Sequence, residues 1–349
     1  MESIGTTNTY RLEPHNREPV SRRLLILAGL LLFATLGLLS CTKEPSGSEP
    51  LIVGWQPPWA NQGQLVAILK HTDLLDKAGV KVNFVPFTYG APMIEGALAR
   101  RVDVVLAGEQ PVLTLLSKSQ DWRIVARLTR YRSAIVIPTS SPLTTLRDLR
   151  GKTVATAFGS TTHRDLVAIL AKEGIETEVR LVNLDQAEHA GVIAGGGKTS
   201  WGPFDAIATY DPTIARATAT NAARILHAWA SPALVAVRND VIQVRRADIK
   251  GFLDAYVQSY VRYAQNPTEA NQWYSEESRL QLTDSDYADI AKYEPNMQAG
   301  TTADVEVELT DQLLAETTRN MATALRVGIL KTSIDLSAYA VRDLLPTKK

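Results

Sequence analysis

The stretch AFGSTTHRDLVAIL, residues 157–170, starts a helical pattern with Gly159, Ser160, Thr161 and Thr162 in succession. A helix begins with four backbone amides that have no partner inside it, and one Ser or Thr oxygen satisfies only one of them. Three hydroxyls beside a bare glycine exceed the needs of a cap. Gly159, Ser160 and Thr161 are therefore expected to be donors kept free for a bound anionic group. Three more helix openings share this make-up. GWQPPWANQGQ (54–64) carries Gln56 and Trp59, TYGAP (88–92) carries Tyr89 and Gly90, and AGEQP (107–111) carries Gly108, Glu109 and Gln110. Each joins small residues or proline, which leave amides accessible, to a side chain that donates or accepts hydrogen bonds. One helix N-terminus is worth about 0.3–1 kcal/mol to a nearby anion, whereas micromolar affinity takes about 8 kcal/mol. Several ends acting together, with lobe closure expelling the water between them, can supply this without any arginine. Any single opening is ordinary capping, so the inference rests on the four together. ATYDP (208–212) adds Tyr210 and Asp211 at a strand end. Asp211 either holds a cationic amine or starts the turn ahead of Pro212. Trp55, Trp59 and Tyr89 are expected as apolar walls for the body of the ligand.

These residues need a scaffold that gathers strand ends. From Leu51 the chain alternates short apolar runs with amphipathic stretches, and the strands LIVGW, VKVNFVPF and VDVVLAG each precede a helical pattern. Such alternation argues an α/β fold with largely parallel strands. In such sheets ligands bind beyond the carboxyl ends of the strands, where helices begin. A second block from about Pro138 gives the strand TVATA and then VRLVNL and FDAIATY. The runs Ala134–Ile137 and Ala233–Val237 read as a pair of crossovers between two α/β lobes. Residues 51–133 with 238–349 are thus expected to form a discontinuous first lobe, and 134–237 a second lobe with hinge strands at both ends. From about Ala247 the pattern is mostly helical and is expected to pack around the first lobe.

The N-terminal region is of another kind. SRRLLILAGLLLFATLGLLSC places Arg22 and Arg23 before an almost unbroken apolar run that ends at Ser40-Cys41. A basic segment, an apolar segment and a small residue at a cleavage point read as an export signal over residues 1–40. Cys41 is the one cysteine of the chain, and Leu38-Leu39-Ser40-Cys41 resembles a bacterial lipobox, in which the cysteine carries lipid. Residues 41–50 are polar and rich in Pro, Ser and Gly, as a tether would be. The expected location is periplasmic or otherwise extracytoplasmic, with the body held at the membrane by lipid on Cys41. Lys+Arg and Asp+Glu are balanced at 37 each among 349 residues, which argues against a nucleic-acid partner held by bulk charge.

The run SPLTTLRDLRGKTVATAFGSTTH (141–163), together with AGEQP and FDAIATYDP, resembles the nitrate-, aliphatic-sulfonate- and taurine-binding proteins of ABC importers. The likeness covers about Leu51–Ala264. It implies a type II periplasmic-binding-protein fold, two α/β lobes joined by a two-strand hinge, which close on a small anion and present it to a membrane permease. It further implies that Ser160 and Thr161, with the Gly108–Pro111 opening, touch the anionic group, and that Asp211 lies in the cleft. The protein is expected to act as a monomer, without catalysis, cofactor or metal. Aliphatic sulfonates or taurine are the first expectation for the ligand, and nitrate or a related oxyanion the second. The alternatives are a protein of the same fold that binds or converts a thiamine-pyrimidine precursor or other heterocycle, and a sensor that docks to a membrane signalling protein. Two segments depart from the pattern. AGVIAGGGKTSWGPFDA (190–206) is longer and richer in glycine than the family's turn, and the two tryptophans of GWQPPW favour a larger or flatter ligand than nitrate.

Other motifs carry less. GGGKTS (195–200) lacks the first glycine of a P-loop, whose place is taken by Val192. His15, His71, His163, His189 and His227 are scattered without metal-ligand spacing. No G-x-S-x-G elbow is present.

Overall fold

The computed structural model describes residues 49–280 and 282–346; the export signal, Cys41 and most of the tether lie outside them. The first strands and helices follow the apolar runs closely. They are β1 (Leu51–Trp55), α1 (Ala60–His71), a single turn α2 (Leu74–Lys77), β2 (Val82–Pro86), α3 (Gly90–Leu98), β3 (Val104–Gly108) and α4 (Glu109–Lys118). β1 lies between β2 and β3 and is parallel to both. The long strand β4 (Trp122–Pro138) then leads to β5 (Thr153–Thr156), α5 (Thr161–Lys172), β6 (Arg180–Asn183), α6 (Gln186–Gly195), β7 (Ala206–Tyr210) and α7 (Thr213–Ala219). A second long strand, β8 (Ala223–Arg238), returns to the start of a helical tail. The tail comprises α8 (Asn239–Val244), α9 (Arg246–Gln265), α10 (Pro267–Ser278), α11 (Asp284–Ala291) and α12 (Asp311–Arg326).

All eight strands form one sheet in the order β2-β1-β3-β8-β4-β7-β5-β6. β4 and β8 pair antiparallel from Trp122↔Arg238 to Pro138↔Ala223 and carry the chain between the lobes. The two runs expected as crossovers belong to these strands but sit in different lobes. Ala233–Val237 pairs with Val104–Gly108 of β3, and Ala134–Val136 pairs with β7. Between them the register shifts from Arg127↔Leu234 to Arg130↔Pro232. Such an irregularity bends a strand pair, and it falls where the sheet passes from one lobe to the other.

Each lobe is a sheet with helices on both faces. In the first, α1 and α9 cover one face through Leu65, Ile68, Phe252 and Tyr256. On the other face α3, α4 and α12 bury Met93, Val112, Leu113 and Met321. In the second lobe the period of two along β4 sends Ile135 and Ile137 toward α5, and Ala134 and Val136 toward α6 and α7. The helical tail packs on the first lobe as expected and also touches α7 of the second through α11. Among the described residues no helix is long and apolar enough to cross a membrane.

Candidate functional site at the seam between the lobes

The four helix openings meet where the lobes face one another. β1 delivers Gln56, whose Nε2 donates to the Leu106 carbonyl at 3.2 Å, and Gln62 Nε2 donates to the same oxygen at 2.7 Å. Gln56 therefore fastens the start of α1 to β3. Trp59 precedes α1 in extended backbone, and the next amide, Ala60, donates across the seam to the Asp211 carbonyl at 3.3 Å. The Trp59 ring stands edge-on to Tyr131, with centroids 4.7 Å apart, and to Tyr210 at 6.2 Å. Tyr131 and Tyr210 are 5.8 Å apart. This aromatic trio draws Trp59 from the first lobe, Tyr210 from the second and Tyr131 from the crossing strand. Burial pushes the Tyr131 and Tyr210 hydroxyls well above the usual phenol range, so both are neutral donors.

Polar atoms on the elements that carry the seam are buried and unpartnered among the described residues. Trp59 Nε1, Tyr210 Oη, Thr156 Oγ1 at the end of β5, and both Oδ1 and Nδ2 of Asn61 in the first turn of α1 have no hydrogen-bond partner among the described residues. Orphaned buried polar groups are rare and each costs about 1–3 kcal/mol. Several of them on elements that end at one seam mark a place that can satisfy a ligand.

α4 and α5 meet end to end. A Cβ placed on Gly108 would lie 2.4 Å from Thr161 Oγ1, so this glycine is required by space; its φ of −57° suits any residue. The Gln110 amide donates to Thr161 Oγ1 at 3.1 Å. Ser160 Oγ accepts the His163 amide at 3.0 Å, an ordinary N-cap. The Gly159 amide points to His163 Nδ1 at 3.3 Å. Gly159 has φ +80°, and its α-carbon faces Ala91 of α3, 3.1 Å from a built Cβ. Gly159, Ser160 and Thr161, expected to be kept free, thus each engage one polar group within the chain. With the lobes in contact, each of these groups has a partner within the chain. Burial pushes the His163 ring down to about 4, so it brings no positive charge at neutral pH.

The carboxylates are also committed. Glu109 is fully buried and bonds Arg164 and the Asn320 amide, the latter at 2.8 Å. Asp211, likewise fully buried, receives Arg132 Nε at 2.7 Å and Nη2 at 2.8 Å, and the Ala215 amide at 3.1 Å. Arg132 Nη1 reaches Asp289 of α11 at 2.8 Å. Burial acts against the Arg132 charge, but the hydrogen bonds and fields of Asp211 and Asp289 outweigh it and hold the guanidinium ionised. Asp211 thus does not wait for a ligand amine. It anchors a bridge from the second lobe through the hinge strand to α11.

The remaining expected residues sit at the rim. Tyr89, half-buried, precedes α3 in extended backbone; burial first and the Asp185 carboxylate second push its hydroxyl upward. Thr88 Oγ1 donates to Asp185 Oδ2 at 3.0 Å across the seam. Gly90 abuts Pro111, whose Cγ would stand 2.2 Å from an added Cβ. Gln110 spends Nε2 on Thr114 at 3.1 Å and leaves Oε1 buried and unpartnered. Trp55 packs in the core under Lys70 and is not a cleft wall.

The glycine-rich segment is no lid on the seam. Gly196 lies against the ring of Trp201, which is buried in the core under α6 and α7, and the Lys198 carbonyl accepts the Ser140 amide at 2.8 Å. Sequence reasoning missed Asn61, Tyr131, Arg132, Thr156 and Arg164. Asn61 stood inside a quoted opening, whereas Tyr131 and Arg132 stood in an Arg-rich run with no assigned element. A cavity of about 900 Å³ bordered by Arg127, Arg130, Glu306 and Glu316 lies elsewhere and includes none of the expected residues. Among the described residues no group of three or more His, Cys, Asp or Glu is placed to hold a metal.

Two α/β lobes on one sheet, bridged by two shared strands and meeting at their helix starts, define the periplasmic-binding-protein fold. Residues 64–266, more than half of the chain, match the family described as ABC transporter, phosphonate, periplasmic substrate-binding protein, and the chain belongs to that family. The family's location is extracytoplasmic. A protein of Escherichia coli (strain K12) named for binding aliphatic sulfonates is 27% identical over 208 residues, 58% of this chain and 60% of that protein. A Bacillus subtilis (strain 168) protein of the same name is 24% identical over 212 residues, 58% of this chain and 62% of its own length. The matches thus span about three fifths of these curated relatives. Among solved structures, the alkanesulfonate-binding protein SsuA from Xanthomonas axonopodis pv. citri, bound to MOPS, aligns with a TM-score of 0.69 at 19% identity, covering 84% of this chain and 98% of that one. The periplasmic aliphatic sulphonate binding protein SsuA from Escherichia coli aligns with a TM-score of 0.66 at 17% identity, covering 84% and 92%. At these identities the likeness to the solved structures is one of fold.

Proposed function

We propose that this protein captures a small anion, an aliphatic sulfonate before taurine or nitrate, for an ABC permease, while tethered to the membrane by lipid on Cys41. The observation that carries the reading is the set of buried, unpartnered groups at the seam, Trp59 Nε1, Asn61, Thr156 Oγ1 and Tyr210 Oη. They are neutral, and they accompany an aromatic trio suited to an apolar ligand body. Arg132 and Arg164, the buried arginines nearest these elements, are each held by two carboxylates. A doubly charged phosphonate would meet no spare cation among the described seam residues, whereas a singly charged head group suits neutral donors and helix ends. With Asp211 committed to Arg132, the ammonium group of taurine gains no counter-charge from it.

A thermal-shift series tests this, with an alkanesulfonate, taurine, nitrate, an alkylphosphonate and an aminopyrimidine in parallel. A ligand at about 100 times its Kd stabilises the folded state by about 2.7 kcal/mol. The alkanesulfonate is expected to give the largest shift. A shift with the phosphonate or the uncharged heterocycle alone would overturn the reading.

A further inference from the structure

A buried ion pair links the two lobes across the seam. Glu109 lies in the first turn of α4 and Arg164 in the first turn of α5, and both are buried. Arg164 Nη1 donates to Glu109 Oε2 across the seam. Each residue also keeps a partner on its own side. Arg164 Nε and Nη2 donate to Asp165 Oδ1 at 2.9 and 2.7 Å. Asp165 Oδ2 in turn accepts Trp229 Nε1 at 2.9 Å and Ser231 Oγ at 2.7 Å from β8. Glu109 Oε2 accepts Asn320 Nδ2 of α12 at 2.8 Å. Glu109 Oε1 is buried without a partner among the described residues.

This wiring differs from that of a structural salt bridge. Breaking a buried pair is costly chiefly because it strands a charge. Here, when the lobes part, Arg164 retains Asp165 and Glu109 retains Asn320. A cavity of about 530 Å³ is bordered by Arg164 and its partner Asp165 and by Asn320, the partner of Glu109, so water stands close to the groups each half retains once they separate. Closed, the bridge runs through one carboxylate oxygen instead of the stronger two-oxygen fork, and the unsatisfied Oε1 weakens it further. A contact of this kind draws the lobes together and still lets go.

We propose that Glu109 and Arg164 form a releasable clasp that sets the separation of the lobes before any ligand binds. Apparent affinity then scales with the fraction of molecules already closed. The inference rests on the two-lobe fold, and its test needs no ligand, so its failure leaves the ligand reading standing.

The test is a spin-label distance measurement on the full-length chain in detergent. Cys41→Ser removes the one native cysteine, and labels at E95C on α3 and E188C on α6 report from exposed positions of the two lobes. In E109Q the open-to-closed ratio is expected to rise about tenfold, seen as a shift of the distance distribution to longer values. R164K keeps the charge but cannot hold Asp165 and Glu109 together, and is expected to shift it the same way. If circular dichroism shows E109Q unfolded, R164K decides. Distributions that superimpose on the parent overturn the clasp. So does a fall in melting temperature with no change in distance, because that is what a merely structural pair would give.

Discussion

Gly108→Ala is the sharpest probe of the seam. The residue sits at the end of β3 with φ −57° and ψ 158°, a conformation open to alanine, so the substitution adds no backbone strain. The added Cβ would stand 2.4 Å from Thr161 Oγ1, 3.3 Å from Thr161 Cβ and 3.0 Å from Tyr131 Oη, whereas ordinary contact begins at 3.4 Å. Rotating Thr161 removes the first clash, but Thr161 Cβ at 3.3 Å and Tyr131 Oη at 3.0 Å remain, so the structure must give by a few tenths of an ångström at this point. Overpacking of this kind costs about 1–3 kcal/mol. Because the clash is between lobes, the cost falls on the closed form alone. Ligand affinity should then drop about five- to 150-fold, read by calorimetric titration with the sulfonate that gives the largest thermal shift. Stability in urea without ligand should fall by less. In a Thr161→Ala background the worst contact is gone, and the penalty of the alanine should shrink by about 1 kcal/mol in a double-mutant cycle. Wild-type affinity in the single variant, or an equal penalty in both backgrounds, would refute the steric argument.

Other perturbations test separate parts. Ser160→Ala removes the cap on the His163 amide and should cost about 1 kcal/mol of stability in urea unfolding, whatever it does to binding. Asp211→Asn leaves the buried Arg132 with the half-exposed Asp289 as its remaining anion, and about 3–5 kcal/mol of stability should be lost. Burial pushes His189 from 6.5 to about 4, so between these values the unfolded chain binds more protons than the native one. Its contribution is full above about pH 6.5, declines by up to about 3 kcal/mol as the pH falls toward 4, and levels off below. His189→Gln should flatten that slope in urea midpoints measured across this range. Cys41→Ser should release the protein into the soluble fraction of a bacterial host; retention in membranes would count against the lipid anchor.

The lobes were legible because the apolar runs of β1, β3, β5 and β7 are short, nearly unbroken and followed by helix starts. The two long strands were not. WRIVARLTRYR, the first part of β4, interleaves Arg123, Arg127, Arg130 and Arg132 with apolar residues, and arginine inside a buried strand reads as unfavourable until its partners are known. Those partners are far along the chain: Glu294 for Arg127, Glu316 for Arg130, and Asp211 with Asp289 for Arg132. The first part of β8 is half exposed and alternates weakly, so only its buried end from Pro232 stood out. The helical nature of GVIAG before the glycine run was hidden by its composition, since glycine disfavours a helix interior.

The site was legible as a place and not as a set of contacts. A surplus of hydroxyls and glycines at a helix start marks an end that faces something besides its own helix, and the four openings lie where the lobes meet. What they face in the closed form is first of all the other lobe: Thr161 caps Gln110, the Asp211 carbonyl takes the Ala60 amide, and Gly108 makes room for Thr161. The same chemistry that would bind an anion also binds a neighbouring helix end, and sequence cannot rank the two because both use neutral donors at the same positions. Burial separates them. A capped amide costs nothing more, whereas Trp59 Nε1, Asn61 and Tyr210 Oη remain inside without partners, and an unsatisfied group in a dry seam is a standing penalty that a bound molecule can remove. Under the proposed function, the ligand is recognised most firmly where the protein has left its own bonds unmade, and the hydroxyl-rich start of α5 serves to seat the lobes around it.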